Sequence, residues 1–199
     1  MTGRFKLFSA LFAFTFLVMA ASSARTQEER RRPIEPVLTL PCCKCLGGTS
    51  TLDLSTISAN PWSVNGSPAV FLSAIHPLWD INPGPAQWVS TVASGGTGYV
   101  APGLYVYKLQ FVVPKCAIEQ RVSITGNYGG DDDVSISLDS NPPSQCSGGY
   151  CFNAAHHSLP TFGPWLVTPG THTLIVNVQN SGGPSGMFVN AKLTTTCRN

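Results

Sequence analysis

The run Gly103-Leu104-Tyr105-Val106-Tyr107-Lys108-Leu109-Gln110-Phe111-Val112-Val113 decides the fold class. Tyr105, Tyr107, Leu109, Phe111 and Val113 occupy every second position, and successive side chains of an extended chain point to opposite faces. The run therefore reads as a strand with one buried face. The same period returns on either side of it. Val122 and Ile124 follow, and then Val134, Ile136 and Leu138 alternate with Ser135, Ser137 and Asp139. Thr49 to Leu54 alternates upstream, and Thr173 to Val178 and Met187 to Leu193 alternate downstream. Between the last two lies Asn180-Ser181-Gly182-Gly183-Pro184-Ser185-Gly186, a turn cluster in which glycine supplies positive φ and proline cannot extend a ladder. No window of a dozen residues carries a 3.6-residue period. Strands without intervening helices predict an all-β, antiparallel two-sheet β-sandwich.

Composition agrees with that reading. The 199 residues are only 11% charged, with 19 Gly and 16 Pro, against roughly 25% charged in ordinary soluble domains. Long helices and coiled coils are disfavoured. Lys+Arg number 12 and Asp+Glu 10, and without Arg4 and Lys6 the two counts are equal. A neutral chain of this kind is not built for nucleic acid or an anionic membrane.

Arg4 and Lys6 precede an apolar run from Leu7 to Ala21, and Ser22-Ser23-Ala24 supplies small residues after it. This is the pattern of a cleaved secretory signal over 1–24, because a spanning helix needs about 20 apolar residues. The expected location is secreted, periplasmic or cell-surface, with no stable membrane insertion after cleavage. Residues 25–45 hold Arg30-Arg31-Arg32, two glutamates and several prolines, and are expected to form a disordered leader ending in the cysteine cluster. The sandwich is expected over 46–199.

Several segments together resemble galactose-binding-like jelly-roll modules, and are most similar to uncharacterised secreted bacterial β-sandwich proteins. They are Gly103 to Tyr107, Ile124-Thr125-Gly126 running to Asp132-Asp133-Val134-Ser135-Ile136-Ser137-Leu138, Pro169-Gly170-Thr171-His172-Thr173-Leu174 to Asn180, and Gly183 to Met187. The opening Cys42-Cys43-Lys44-Cys45-Leu46-Gly47-Gly48 is shared with some of them. The resemblance implies a non-catalytic jelly roll, of a kind often attached to or acting on glycans, with ligands at the loops of one end. It also implies that the first and last strands lie close together, which favours a bond from the Cys42/Cys43/Cys45 cluster to Cys116 or Cys197.

The cysteines of an exported chain are read as disulfides. Cys146 and Cys151 flank Ser-Gly-Gly-Tyr, a spacing suited to a local bond. With seven cysteines in all, one is left over. A Zn²⁺ site on the N-terminal cluster is the sharper alternative, but it lacks a second Cys-x-x-Cys or a nearby histidine. No cofactor or metal is expected. Asp131-Asp132-Asp133 after Tyr128-Gly129-Gly130 could offer oxygens to Ca²⁺, although the plainer reading is an exposed loop whose carboxylates bond backbone N–H groups. His156-His157 read as polar loop, and His172 as solvent-facing. Neither His-Glu-x-x-His nor Gly-x-Ser-x-Gly is present, and nothing in sequence joins Asp80 to the Asp131–Asp133 run as a hydrolytic pair. A non-enzymatic role is expected.

Aromatic residues supply the ligand-binding candidates. Sugar rings stack their C–H faces on tryptophan and tyrosine, and their hydroxyls seek nearby polar groups. Trp79, Asp80 and Asn82 share a proline-rich loop, and Tyr128 stands beside two glycines. These four are the expected ligand contacts, whereas Trp62, Trp88 and Trp165 abut strands and read as core. Asn65-Gly66-Ser67 reads as a turn in preference to a glycosylation acceptor. The expected partner is a glycan or extracellular polymer. The alternative is a structural or adhesive surface protein with no small-molecule ligand.

Overall fold

The computed structural model describes residues 37–44, 46–58, 60–79, 84–116, 120–148, 151–153 and 160–197, all within the compact unit Pro36–Asn199. The expected signal segment, the Arg30–Arg32 run, Cys45, Asp80, Asn82, His156 and His157 lie outside the described residues.

Thirteen strands are present among the described residues. They are β1 (Leu38–Thr39), β2 (Thr49–Asp53), β3 (Ser63–Val64), β4 (Ser67–Pro68), β5 (Val70–Phe71), β6 (Val89–Ser90), β7 (Gly103–Val113), β8 (Gln120–Asp131), β9 (Asp133–Leu138), β10 (Ser144–Cys146), β11 (Thr161–Val167), β12 (Gly170–Asn180) and β13 (Gly186–Cys197). No helix occurs among the described residues, and so none is long and apolar enough to cross a membrane. The first sheet runs β10-β9-β12-β7-β3-β4 with β1 beside β7, and the second runs β11-β8-β13-β6-β5 with β2 beside β13. Every ladder is antiparallel except the short β1/β7 pair. The chain is a two-sheet β-sandwich.

The parity read from the sequence is the parity of the core. Tyr107, Leu109, Phe111, Val113, Val134, Ile136, Leu138, Leu174, Val176 and Val178 of the first sheet share one buried cluster with Val122, Ile124, Tyr128, Val189, Ala191 and Leu193 of the second. Burying both inner faces at once removes apolar area from water at about 25 cal/mol per Å². Trp62 and Trp88 are buried as expected, and Trp165 is half-buried. Asn65 and Gly66 both take positive φ, at 49° and 83°, and join β3 to β4. This is the two-residue hairpin that an Asn-Gly pair favours.

Three disulfides join Cys42 to Cys116, Cys43 to Cys197 and Cys146 to Cys151. The local bond follows the expectation, and the cluster, expected to reach Cys116 or Cys197 by one bond, reaches both. One boundary moves. β1 pairs with Phe111 and Val112 and Leu40 is wholly buried, so the sheet begins at Leu38 and not at Leu46. Its short apolar run adds a strand to the side of β7, and the two disulfides from Cys42 and Cys43 hold it there.

Candidate functional site

The outward face of the first sheet carries an open groove of about 240 Å³. Because Val134, Leu174, Val176 and Val178 face inward, strand parity turns Asp133 and Ser135 of β9 and Asn177 and Gln179 of β12 outward. Gln145 pairs with Ser135, and Ser135 with Asn177, so their side chains form one row across three strands. Gln179 pairs with Asp133 on one side and with Leu104 on the other, which makes the next row. Neighbouring strands stand about 4.8 Å apart, so amide, hydroxyl and carboxylate groups recur across the floor at the spacing of small polar groups on a ligand. All six residues line the groove, and no lysine or arginine does.

The rim is fixed by the loop that closes the Cys146–Cys151 disulfide. Cys146 and Ser147 line the groove, and the Gly148 N–H donates to Asp133 Oδ1 at 2.9 Å. Gly148 reaches that position at a φ of 105°, open to glycine and costly for other residues.

No protein-family model matches the chain, and no curated protein matches it. Among solved structures the chain is similar to the Podospora anserina GH26-CBM35 β-(1,4)-mannanase, at 14% identity and a TM-score of 0.34, over 77% of this chain and 28% of that one. The chain thus spans less than a third of that enzyme's length. No residue role follows from a likeness at this level.

The aromatic residues expected at a site are elsewhere. Trp79 is 3% exposed. Its ring stacks on Trp88 at 4.3 Å and lies 6.5 Å from Phe152, and its Nε1–H donates to Asp131 Oδ2 at 2.9 Å. A proline-rich segment cannot join a ladder, but it can fold over a sheet end, and an indole gains most by being covered there once its N–H has an acceptor. The expectation of an exposed platform at Trp79 is corrected accordingly.

Tyr128 is 0% exposed. Its hydroxyl donates to Ser144 Oγ at 3.0 Å, and burial raises its pKa above the ordinary tyrosine value. The expectation of a ligand contact at Tyr128, beside Gly129-Gly130, is corrected accordingly. Those glycines instead sit inside β8, where a Cβ on Gly129 would come against the Phe188 ring and one on Gly130 would approach Val134 at 2.9 Å. Here glycine marks close packing and not a turn.

The three aspartates serve three different segments. Asp131 holds Trp79, Asp132 Oδ2 accepts the Ser181 N–H at 2.7 Å, and Asp133 holds Gly148. The bonds to Ser181 and Gly148 reach backbone N–H groups, as the plainer reading had it, although both donors are remote in sequence. Asp131 is buried, contrary to the exposed loop expected there. Burial first, then the adjoining Asp132 carboxyl, pushes its pKa up to about 8, against a smaller lowering by Trp79. For Asp132, burial works upward, but hydrogen bonds from Asp131 and Ser181 outweigh it and hold the carboxyl below its ordinary value.

His172 also differs from its expected place in solvent. It is buried, with Nε2–H donating to the Thr168 carbonyl at 2.7 Å and Nδ1 2.8 Å from Asp139 Oδ2. Period-two parity predicts this, since His172 shares the inward parity of Leu174 and Val176.

The groove residues were not singled out by sequence reasoning, yet a signal was present. The solvent parity of β9 and β12 includes Asp133, Ser135, Asn177 and Gln179 at adjoining positions, where a purely solvating face would use Lys and Glu. Uncharged amides on an open sheet face give directional hydrogen bonds without a field.

Proposed function

We propose that this protein is a secreted, non-catalytic carbohydrate-binding module of the galactose-binding-like jelly-roll type, and that the outward groove of the first sheet takes the sugar. The observation that carries the reading is the chemistry of the groove. Two glutamines, an asparagine, two serines and an aspartate line it together with Leu104, Val134 and Cys146, which suits a ligand with many neutral hydroxyls and an apolar C–H face. A phosphate or carboxylate ligand would call for arginine or lysine.

The non-catalytic part of the reading rests on Asp133. It is the only carboxylate among the lining residues and one of its oxygens is committed to Gly148, whereas glycoside hydrolysis ordinarily uses two carboxyl groups across the scissile bond. Export is supported by the Leu7–Ala21 pattern and the three disulfides, which persist in oxidising compartments.

Calorimetric titration with cello-, xylo-, manno- and chito-oligosaccharides tests the proposal. Binding of at least one series is expected, with Asn177→Ala or Gln179→Ala each weakening it by about 1 kcal/mol, roughly fivefold. Absence of binding across all four, or equal binding by both variants, overturns it.

A further inference from the structure

We propose that Tyr99 is a stacking residue for a sugar chain that leaves the groove past Leu104 and Gln179, so that the ligand is an extended oligosaccharide and not a single sugar. This rests on the groove being the sugar site.

Among the described residues Tyr99 is the one aromatic that stands open, at 74% exposure. A lone exposed tyrosine is ordinary; what distinguishes this one is how firmly its backbone is held and where. The Val100 N–H donates to the Gly183 carbonyl at 2.7 Å. The buried Asn180 side chain donates through Nδ2 to the Val100 and Ala101 carbonyls at 3.0 and 2.9 Å. The segment is thereby clamped to the end of β12, and an aromatic contact loses little freedom on binding when its support is already fixed.

The clamp holds the Tyr99 segment at the end of β12 where Gln179 lines the groove. Gly103 pairs with Asn180, and Leu104 with Gln179 in the groove. Just beyond them, a Cβ built on Gly182 would lie 3.8 Å from Tyr99 Cε2 and 3.2 Å from Pro102 Cγ. Gln179 and Gly182 are three residues apart, at most about 10 Å of chain. Gly182 has a φ of 117°, a conformation other residues rarely adopt, and its missing side chain leaves the ring uncrowded on that side.

The groove by itself is small. Its 240 Å³ falls below the roughly 300 Å³ at which pockets begin to enclose a drug-sized ligand. It is open, so a chain of sugars can continue beyond it. Leu104, 55% exposed, lines the groove beside Gln179 and offers apolar contact to the C–H face of a sugar ring.

The test is titration of the full disulfide-bonded protein with disaccharides and hexasaccharides of the cello, xylo, manno and chito series. The wild type is expected to bind the hexasaccharide of the recognised series more tightly than its disaccharide. Tyr99→Ala should weaken hexasaccharide binding roughly five- to tenfold and leave disaccharide binding unchanged, and Tyr99→Phe should restore it. Asn177→Ala should weaken both. If Asn177→Ala weakens binding while Tyr99→Ala matches the wild type, or if Tyr99→Ala weakens both lengths alike, the role of Tyr99 is overturned and the groove reading stands. If no oligosaccharide binds, or Asn177→Ala has no effect, the groove reading falls and this inference with it. A thermal melt of Tyr99→Ala matching the wild type confirms that the fold is intact.

Discussion

Two regions of this sandwich lie on either side of the Cys146–Cys151 loop and use opposite chemistry. On one side Cys146 lines the open groove with Gln145, Ser135 and Asn177. On the other, Phe152 follows Cys151 into a buried cluster with Trp79, Trp88, Ala86 and Phe188. The aromatic region has the composition of a sugar platform, yet its rings are spent on one another. The groove has the composition of an ordinary solvent face, yet it is concave and holds its polar groups in rows. What a residue type can bind is decided by whether its face is open, and burial decides that.

The largest effect expected from breaking the contrast is at Trp79. Trp79→Ala should lower unfolding stability by about 3 to 5 kcal/mol, as large-to-small changes at buried aromatic positions do, and leave Asp131 without the indole donor. Chemical denaturation measures the loss; a change under 1 kcal/mol would show that the ring is not covered in solution.

Next is the link between the two regions. Replacing Cys146 and Cys151 together by serine should cost on the order of 2 kcal/mol, because the bond closes a short loop. It should also weaken oligosaccharide binding, since the loop positions Gly148 against Asp133. Either single replacement should cost as much as both, because the same bond is lost. Unfolding and titration on the three variants read this directly.

A pH series sharpens the account of the aromatic region, because Asp131, which holds Trp79, and the adjoining Asp132 stand in different surroundings. Asp131, at about 8 in the folded chain against an ordinary 3.8, keeps a proton that the unfolded chain releases. Its contribution is therefore fully present below pH 3.8, declines as pH rises, and is gone above about pH 8. Asp132, held low, acts in the opposite sense and loses its contribution as pH falls through its folded value. Asp131→Asn keeps an acceptor for Trp79 and should flatten the decline between pH 4 and 8 in thermal melts. Persistence of the full slope in that variant would place its origin elsewhere.

The smallest stability effect belongs to the groove. Asn177→Ala should change unfolding stability by no more than about 0.5 kcal/mol while impairing sugar binding. A larger loss of stability would mean that Asn177 is structural.

The sandwich was legible because side-chain parity in a strand is local. Tyr107, Leu109, Phe111, Ile136 and Val176 could be assigned to one buried face from their own neighbours in the chain, and the Asn65-Gly66 hairpin from two residues. His172 obeys the same parity and was misread only because it sits at a strand entry. The aspartates and tryptophans have no such local rule. Trp79 meets Asp131 across 52 positions, and Asn180 clamps Val100 across 80, so nothing in either segment announces the partner. Gly129-Gly130 fails for a related reason: a glycine pair signals a turn or close packing with equal force, and only the arrival of Phe188 and Val134 chooses between them. By itself, then, the sequence determined an all-β chain, the alternation of its main strands, its local disulfide and its low charge. Only the tertiary structure decided which faces are covered, because exposure is a property of what distant segments bring against a side chain.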